Sequence, residues 1–141
     1  MANIFDASVW DIPAVPPCGT VLLVEDQELN ILIGQAYLEM FGYEVDVAVN
    51  GVMACEKAAR RRYEAIVMDV EMPGMDGLAA TAAIRADEAS RDAHHVPIVI
   101  LTSHSDPGMQ GLCEKAGADV VVRKPMTQQF QRVLAELTKA A

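Results

Sequence analysis

Five short apolar runs punctuate the chain from residue 20 onward: Val21–Val24, Val45–Ala48, Ala65–Met68, Ile98–Leu101 and Asp119–Val122. Each is brief and either β-branched or unbroken in its apolar character, as in strands buried on both faces. Helical spacing is predicted over 28–41, 52–62, 77–86, 107–116 and 127–139. The last segment carries Phe130, Val133, Leu134 and Leu137, the i, i+3, i+4, i+7 stripe of a helix lying on a sheet. Asp106-Pro107 supplies an N-cap and first helical residue, and Gly117 stands where a helix would stop. Strand and helix alternate five times. An α/β fold follows: a parallel sheet with helices on both faces. Right-handed crossovers then carry every loop that follows a strand to one edge, where open α/β sheets bind ligands.

The first helix has a second apolar feature. Leu29, Ile33, Ala36 and Met40 are expected to face inward, which places Ile31 and Leu38 on the opposite side with Gly34 near them. An outward apolar stripe beside the ligand edge suggests docking of a partner helix through Ile31 and Leu38; the alternative is scattered surface apolars.

Ahead of the periodic region, residues 1–19 (MANIFDASVWDIPAVPPCG) hold three prolines and no sustained period, and read as a flexible leader to a domain spanning 20–141. With 141 residues, 52% hydrophobic and 22% charged, the chain has the size and make-up of one globular domain. No apolar run is long enough to cross a bilayer, and the N-terminus lacks the basic and apolar regions of a secretory signal. Cys18, Cys55 and Cys113 are odd in number and widely spaced, which favours reduced thiols over a disulfide frame or zinc site. A cytoplasmic location without membrane attachment is therefore expected. The net charge of −9 argues against direct nucleic-acid binding. Arg60 to Arg62 read as solvating a helix end, and His94-His95 as a solvated loop.

The loops at the ligand edge carry the chemistry. The first strand runs into Glu25-Asp26, the third into Asp69, the fourth into Thr102-Ser103, and the fifth into Arg123-Lys124-Pro125. Three carboxylates gathered there repel one another and call for a cation. Oxygen donors without a soft ligand suit Mg2+. Phosphoryl transfer asks for an in-line nucleophile, positioning and neutralised oxygens. Asp69 can be a carboxylate nucleophile, Lys124 a point positive charge, and Thr102 a hydroxyl donor. Singly, each has an ordinary reading as a cap, turn or surface residue. Together they make a complete set.

VLLVEDQELN, IVMDVEMPGMDG, PIVILTSHS and VVRKPM resemble the four signature segments of two-component response-regulator receiver domains, in order and spacing, from about Thr20 to the end. The resemblance implies a flavodoxin-like doubly wound sheet of five parallel strands, order 2-1-3-4-5. It implies phosphorylation of Asp69 by a phosphohistidine on a histidine kinase or phosphotransfer protein. Asp26 and Asp69 would hold Mg2+ through side chains and Glu71 through its carbonyl oxygen, with Glu25 assisting. Thr102 and Lys124 would hold phosphoryl oxygens, and Lys124-Pro125 would be cis. Glu71 and His104 stand where the family tunes phosphoryl lifetime. At the aromatic switch position of the family stands Val121, so a weak or rerouted output response is expected.

This describes a signalling protein, self-phosphorylating and self-dephosphorylating rather than a metabolic enzyme. It would be a stand-alone receiver or part of a hybrid kinase, with a homodimer through 107–139 as a further expectation. A haloacid-dehalogenase-type hydrolase would place a second Asp two residues after the nucleophile, where Glu71 stands. A pure interaction module would have lost an acid, the acceptor or the lysine, and none is lost here.

Overall fold

The structure is a computed structural model that describes residues 19–70, 76–103 and 107–139. Five strands, β1 (Thr20–Val24), β2 (Glu44–Ala48), β3 (Ala65–Asp69), β4 (Ile98–Thr102) and β5 (Val120–Arg123), pair in parallel in the order 2-1-3-4-5. Five helices alternate with them: α1 (Glu28–Met40), α2 (Gly51–Arg60), α3 (Gly77–Arg91), α4 (Pro107–Ala116) and α5 (Gln128–Lys139). The expected flavodoxin-like architecture is the observed one. The register pairs Val24 with Ala48 and Met68, and Asp69 with Leu101, so β1, β3 and β4 end together.

The unbroken apolar runs are explained by burial on both faces. Leu22, Val24, Ile66, Met68, Ile98 and Ile100 face one core, closed by Ala54 of α2, Ala80 and Ile84 of α3, and Cys113 of α4. The alternate residues Val21, Leu23, Val67, Val99 and Leu101 face the other, closed by Leu38 of α1 and by Phe130 and Leu134 of α5. The two-residue strand period thus feeds two layers from one set of strands. Among the described residues, no helix is long and apolar enough to cross a membrane.

Helix ends follow their local chemistry. Asn50 caps α2 by accepting from the Met53 N–H at 2.8 Å, and Asp76 caps α3 by accepting from the Ala79 N–H at 2.8 Å. At Gly117, α4 ends in a left-handed turn with φ +108°, as its place in the sequence predicts. Asp106 lies outside the described residues.

Helix α3 outruns its predicted end at 86 and continues to Arg91. The polar stretch ADEASR stays helical because Arg91 pairs with Asp87 at 2.7 Å and Arg85 with Glu88 at 2.7 Å. Asp92 then ends the helix with φ 51°. His95, in the loop that follows, bonds through Nε2 to Asp119 Oδ1 at 2.9 Å.

The orientation of α1 corrects the expectation drawn from its periodicity. Leu38 is fully buried and Ile31 half-buried, whereas Leu29, Leu32 and Met40 are 67%, 66% and 74% exposed. Ile33 and Ala36 also face outward. Leu38 is therefore no docking residue. The helix is apolar almost all round, so spacing alone could not choose its inner side. Gly34 chooses it: a Cβ there would meet Leu23 Cδ2 at 2.9 Å, so the helix lies close against the sheet at this position. Leu38, one turn on, must then point inward with it.

Candidate functional site

Where β1 and β3 end, the chain turns abruptly from apolar to acidic. Glu25 continues β1 through its N–H, which donates to the Ala48 carbonyl at 3.0 Å. Asp69 is the last residue of β3 and is 3% exposed. One carboxylate oxygen from each of Glu25, Asp26 and Asp69 lies within 4.8 Å of the others. Lys124, just past β5, reaches into this acidic group: its Nζ donates to Asp69 Oδ1 at 3.2 Å. Its backbone N–H donates to the Thr102 carbonyl at 2.9 Å, joining the ends of β4 and β5. Thr102 is fully buried, and Lys124-Pro125 is cis. Beside Asp69 and Lys124, a cavity of about 250 Å3 opens between Ile33 and Gly34 of α1 and the Pro125-Met126 turn.

The electrostatics are those of a crowded acidic pocket. Glu25 is 5% exposed, and burial, followed by the neighbouring Asp69 carboxylate, pushes its pKa up from 4.5 to about 7. The Gln27 N–H, donating to Oε1 at 3.2 Å, and the Lys124 charge pull the other way and lose. Asn30 Nδ2 reaches the same oxygen at 3.5 Å. The folded protein thus holds this proton more tightly than the unfolded chain does. In the metal-free protein its contribution to stability is intact below about pH 4.5 and lost as pH rises through about 7. Glu25→Gln is accordingly expected to raise the metal-free melting temperature above pH 7 and to change it little near pH 4.5. Thermal unfolding with a chelator at both pH values checks this; an equal shift at both would contradict it.

A divalent cation fits this arrangement. Asp26 Oδ1 is buried and has no hydrogen-bond partner, a costly state that a cation would relieve. The donors are all carboxylate oxygens, the hard ligands that Mg2+ prefers.

Glu71 and His104 lie outside the described residues. Val121 is half-buried against the core beneath α2, α3 and α4. Two neighbours of the site escaped the sequence reading. Asn30, whose place in EDQELN carries no special signal, touches Glu25. Gly77 opens α3 directly against the backbone of Asp69.

Residues 21–136 match the response regulator receiver domain family. The chain belongs to that family. Receiver domains are signalling modules of two-component phosphorelays, not metabolic enzymes. The sensor protein GacS of Pseudomonas syringae pv. syringae is 38% identical over 122 residues, covering 86% of this chain and 14% of the relative. The response regulator DivK of Brucella anthropi is 30% identical over 108 residues, covering 77% of this chain and 85% of DivK. This receiver domain therefore spans about a seventh of the length of GacS and most of the length of DivK. Among solved structures, the receiver domain of the Pseudomonas aeruginosa sensor histidine kinase PA1611 superposes with a TM-score of 0.77 at 37% identity. That match covers 86% of this chain and 98% of the other, and the PA1611 domain holds a magnesium ion in its active-site cleft. The receiver domain of the Arabidopsis thaliana histidine kinase CKI1, complexed with Mg2+ and BeF3-, gives a TM-score of 0.77 at 25% identity, covering 86% and 90%.

Proposed function

We propose that this receiver domain accepts a phosphoryl group on Asp69 from a phosphohistidine donor and loses it again by hydrolysis. The observation that carries the reading is the buried Asp69 carboxylate, held by Lys124 Nζ at 3.2 Å and grouped with Glu25 and Asp26. In the forward step an Asp69 oxygen attacks phosphorus, the phosphorus–nitrogen bond to imidazole breaks, and an acyl phosphate forms. Lys124 Nζ stands where it can follow the charge from the carboxylate onto a phosphoryl oxygen. Thr102, buried at the neighbouring strand end, offers a hydroxyl to a second oxygen. Attack by water later returns the carboxylate and inorganic phosphate. Asp26, Asp69 and Glu25, with the carbonyl of Glu71, would hold Mg2+, which supplies charge neutralisation at the phosphoryl oxygens when bound. The reading implies a cytoplasmic setting, where donor kinases draw on ATP.

The donor surface is the outer face of α1. Leu29, Leu32, Ile33, Tyr37 and Met40 form an exposed stripe at i, i+3, i+4, i+8 and i+11. Such a stripe, beside the acceptor edge, suits the helical bundle of a histidine kinase or phosphotransfer protein. Leu32→Glu is expected to slow transfer from a phosphorylated histidine donor tenfold or more, through about 1.4 kcal/mol of lost docking. Its labelling by acetyl phosphate should stay at the wild-type rate. Radiolabel transfer compared with small-molecule labelling makes the test; equal losses in the two would contradict docking at α1.

A further inference from the structure

At the sheet end opposite Asp69, where β3 and β4 begin, a second cavity of about 250 Å3 lies between the C-terminal ends of α2 and α3. Its floor is apolar, built from Ala58, Ile66 and Val96, and its wall holds Arg60, Arg61, Arg62 and Arg91. Four arginines line this one cavity in a chain of net charge −9. The ordinary role of such residues is to complement the negative ends of helices, and Arg60 and Arg91, in the last turns of α2 and α3, do so. Arg61 and Arg62 lie beyond the helix end.

The local carboxylates are committed elsewhere. Glu88, the acid in the cavity wall, accepts from Arg85 through Oε1 at 2.7 Å and from the Val96 N–H through Oε2 at 2.9 Å. Asp87 pairs with Arg91 at 2.7 Å. Arg61 donates to the Thr20 hydroxyl at 2.8 Å and lies over the Tyr63 ring at 5.5 Å. Arg62 donates to His94 Nε2 at 3.4 Å. Among the described residues, none of Arg60, Arg61 and Arg62 has a carboxylate within ion-pairing distance.

We infer that this cavity binds a small organic phosphate, its apolar or aromatic body on the floor and its phosphate on Arg60, Arg61 and Arg62. Guanidinium forks match phosphate oxygens in pairs, and a concave apolar floor distinguishes a ligand site from a merely solvated basic patch. The concavity also favours a small molecule over an acidic protein surface, which would need a broad basic face. The site lies about 13 Å from the acceptor, the length of β3 at the usual rise per residue.

The test is a 15N–1H NMR titration of the whole chain without divalent metal, using phenyl phosphate and inorganic phosphate as probes. The expected result is saturable shifts at 58–63 and 93–96, with phenyl phosphate binding at least tenfold more tightly than inorganic phosphate. Arg60→Ser with Arg62→Ser should weaken phenyl phosphate tenfold or more, with acetyl phosphate labelling unchanged and a melting temperature that still shows one cooperative transition. Non-saturating shifts, shifts confined to the surroundings of Lys124, or equal affinity in the double variant would overturn the inference. So would tighter binding of a Glu-rich peptide than of phenyl phosphate, which would make the cavity a protein contact.

Discussion

Asp69→Asn is expected to abolish phosphoryl uptake altogether, from acetyl phosphate and from a phosphohistidine donor alike. An amide oxygen is a far weaker nucleophile than a carboxylate, and no other described carboxylate shares its position. Glu25 is turned to the Gln27 N–H and Asn30, and Lys124 Nζ donates to Asp69. Unfolding would not account for the loss. Burial is the largest cause of the raised Glu25 pKa, and the Asp69 carboxylate adds to it; removing that charge from three crowded acids relieves the added part, so the metal-free variant should be at least as stable as wild type. Urea denaturation beside the labelling assay separates the two effects. A variant that folds normally and still takes up phosphoryl would remove Asp69 from the acceptor role.

Gly77→Val is expected to cost roughly 3 kcal/mol of stability and to slow phosphoryl uptake on the order of a hundredfold. Gly77 is the first residue of α3, and a Cβ built on it would lie 2.2 Å from the Asp69 carbonyl oxygen and 2.8 Å from the Val70 Cα. Both obstacles are backbone, so no rotamer change relieves the clash. Either the start of α3 backs away or the end of β3 shifts, and the second option moves the acceptor itself. A displacement of about 1 Å suffices for a loss of that size in a reaction that depends on in-line positioning. Denaturant midpoints and initial rates of acetyl phosphate labelling check both parts. A variant with wild-type stability and rate would show that the contact is not maintained.

What could be read from the chain, and what could not, follows from where the information lies. A strand buried on both faces must be apolar at nearly every position, so Val21–Val24, Ala65–Met68 and Ile98–Leu101 were legible as strands without their partners. Parallel topology then forced Glu25, Asp26, Asp69 and Lys124 to one edge, although 98 residues lie between the first and the last. The inner face of α1 was not legible, because Leu29, Ile31, Ile33 and Leu38 offer apolar surface in several directions. Only the contact of Gly34 with Leu23 decides among them, and that contact is non-local. The last turn of α3 was hidden for a related reason: ADEASR is polar enough to be a loop, and its ion pairs show only once it is helical. The proton on Glu25 depends on burial and on Asp69 together, which neither residue announces by itself.

Phosphorylation of Asp69 is open to one direct measurement. Wild-type protein is incubated with acetyl phosphate and Mg2+ and weighed intact, and a second portion is reduced with borohydride and mapped by peptide mass. One phosphoryl mass is expected on the intact protein, absent when a chelator is present, with reduction confined to the peptide containing Asp69. Label on a histidine, serine or threonine, or equal uptake with the chelator, would contradict it.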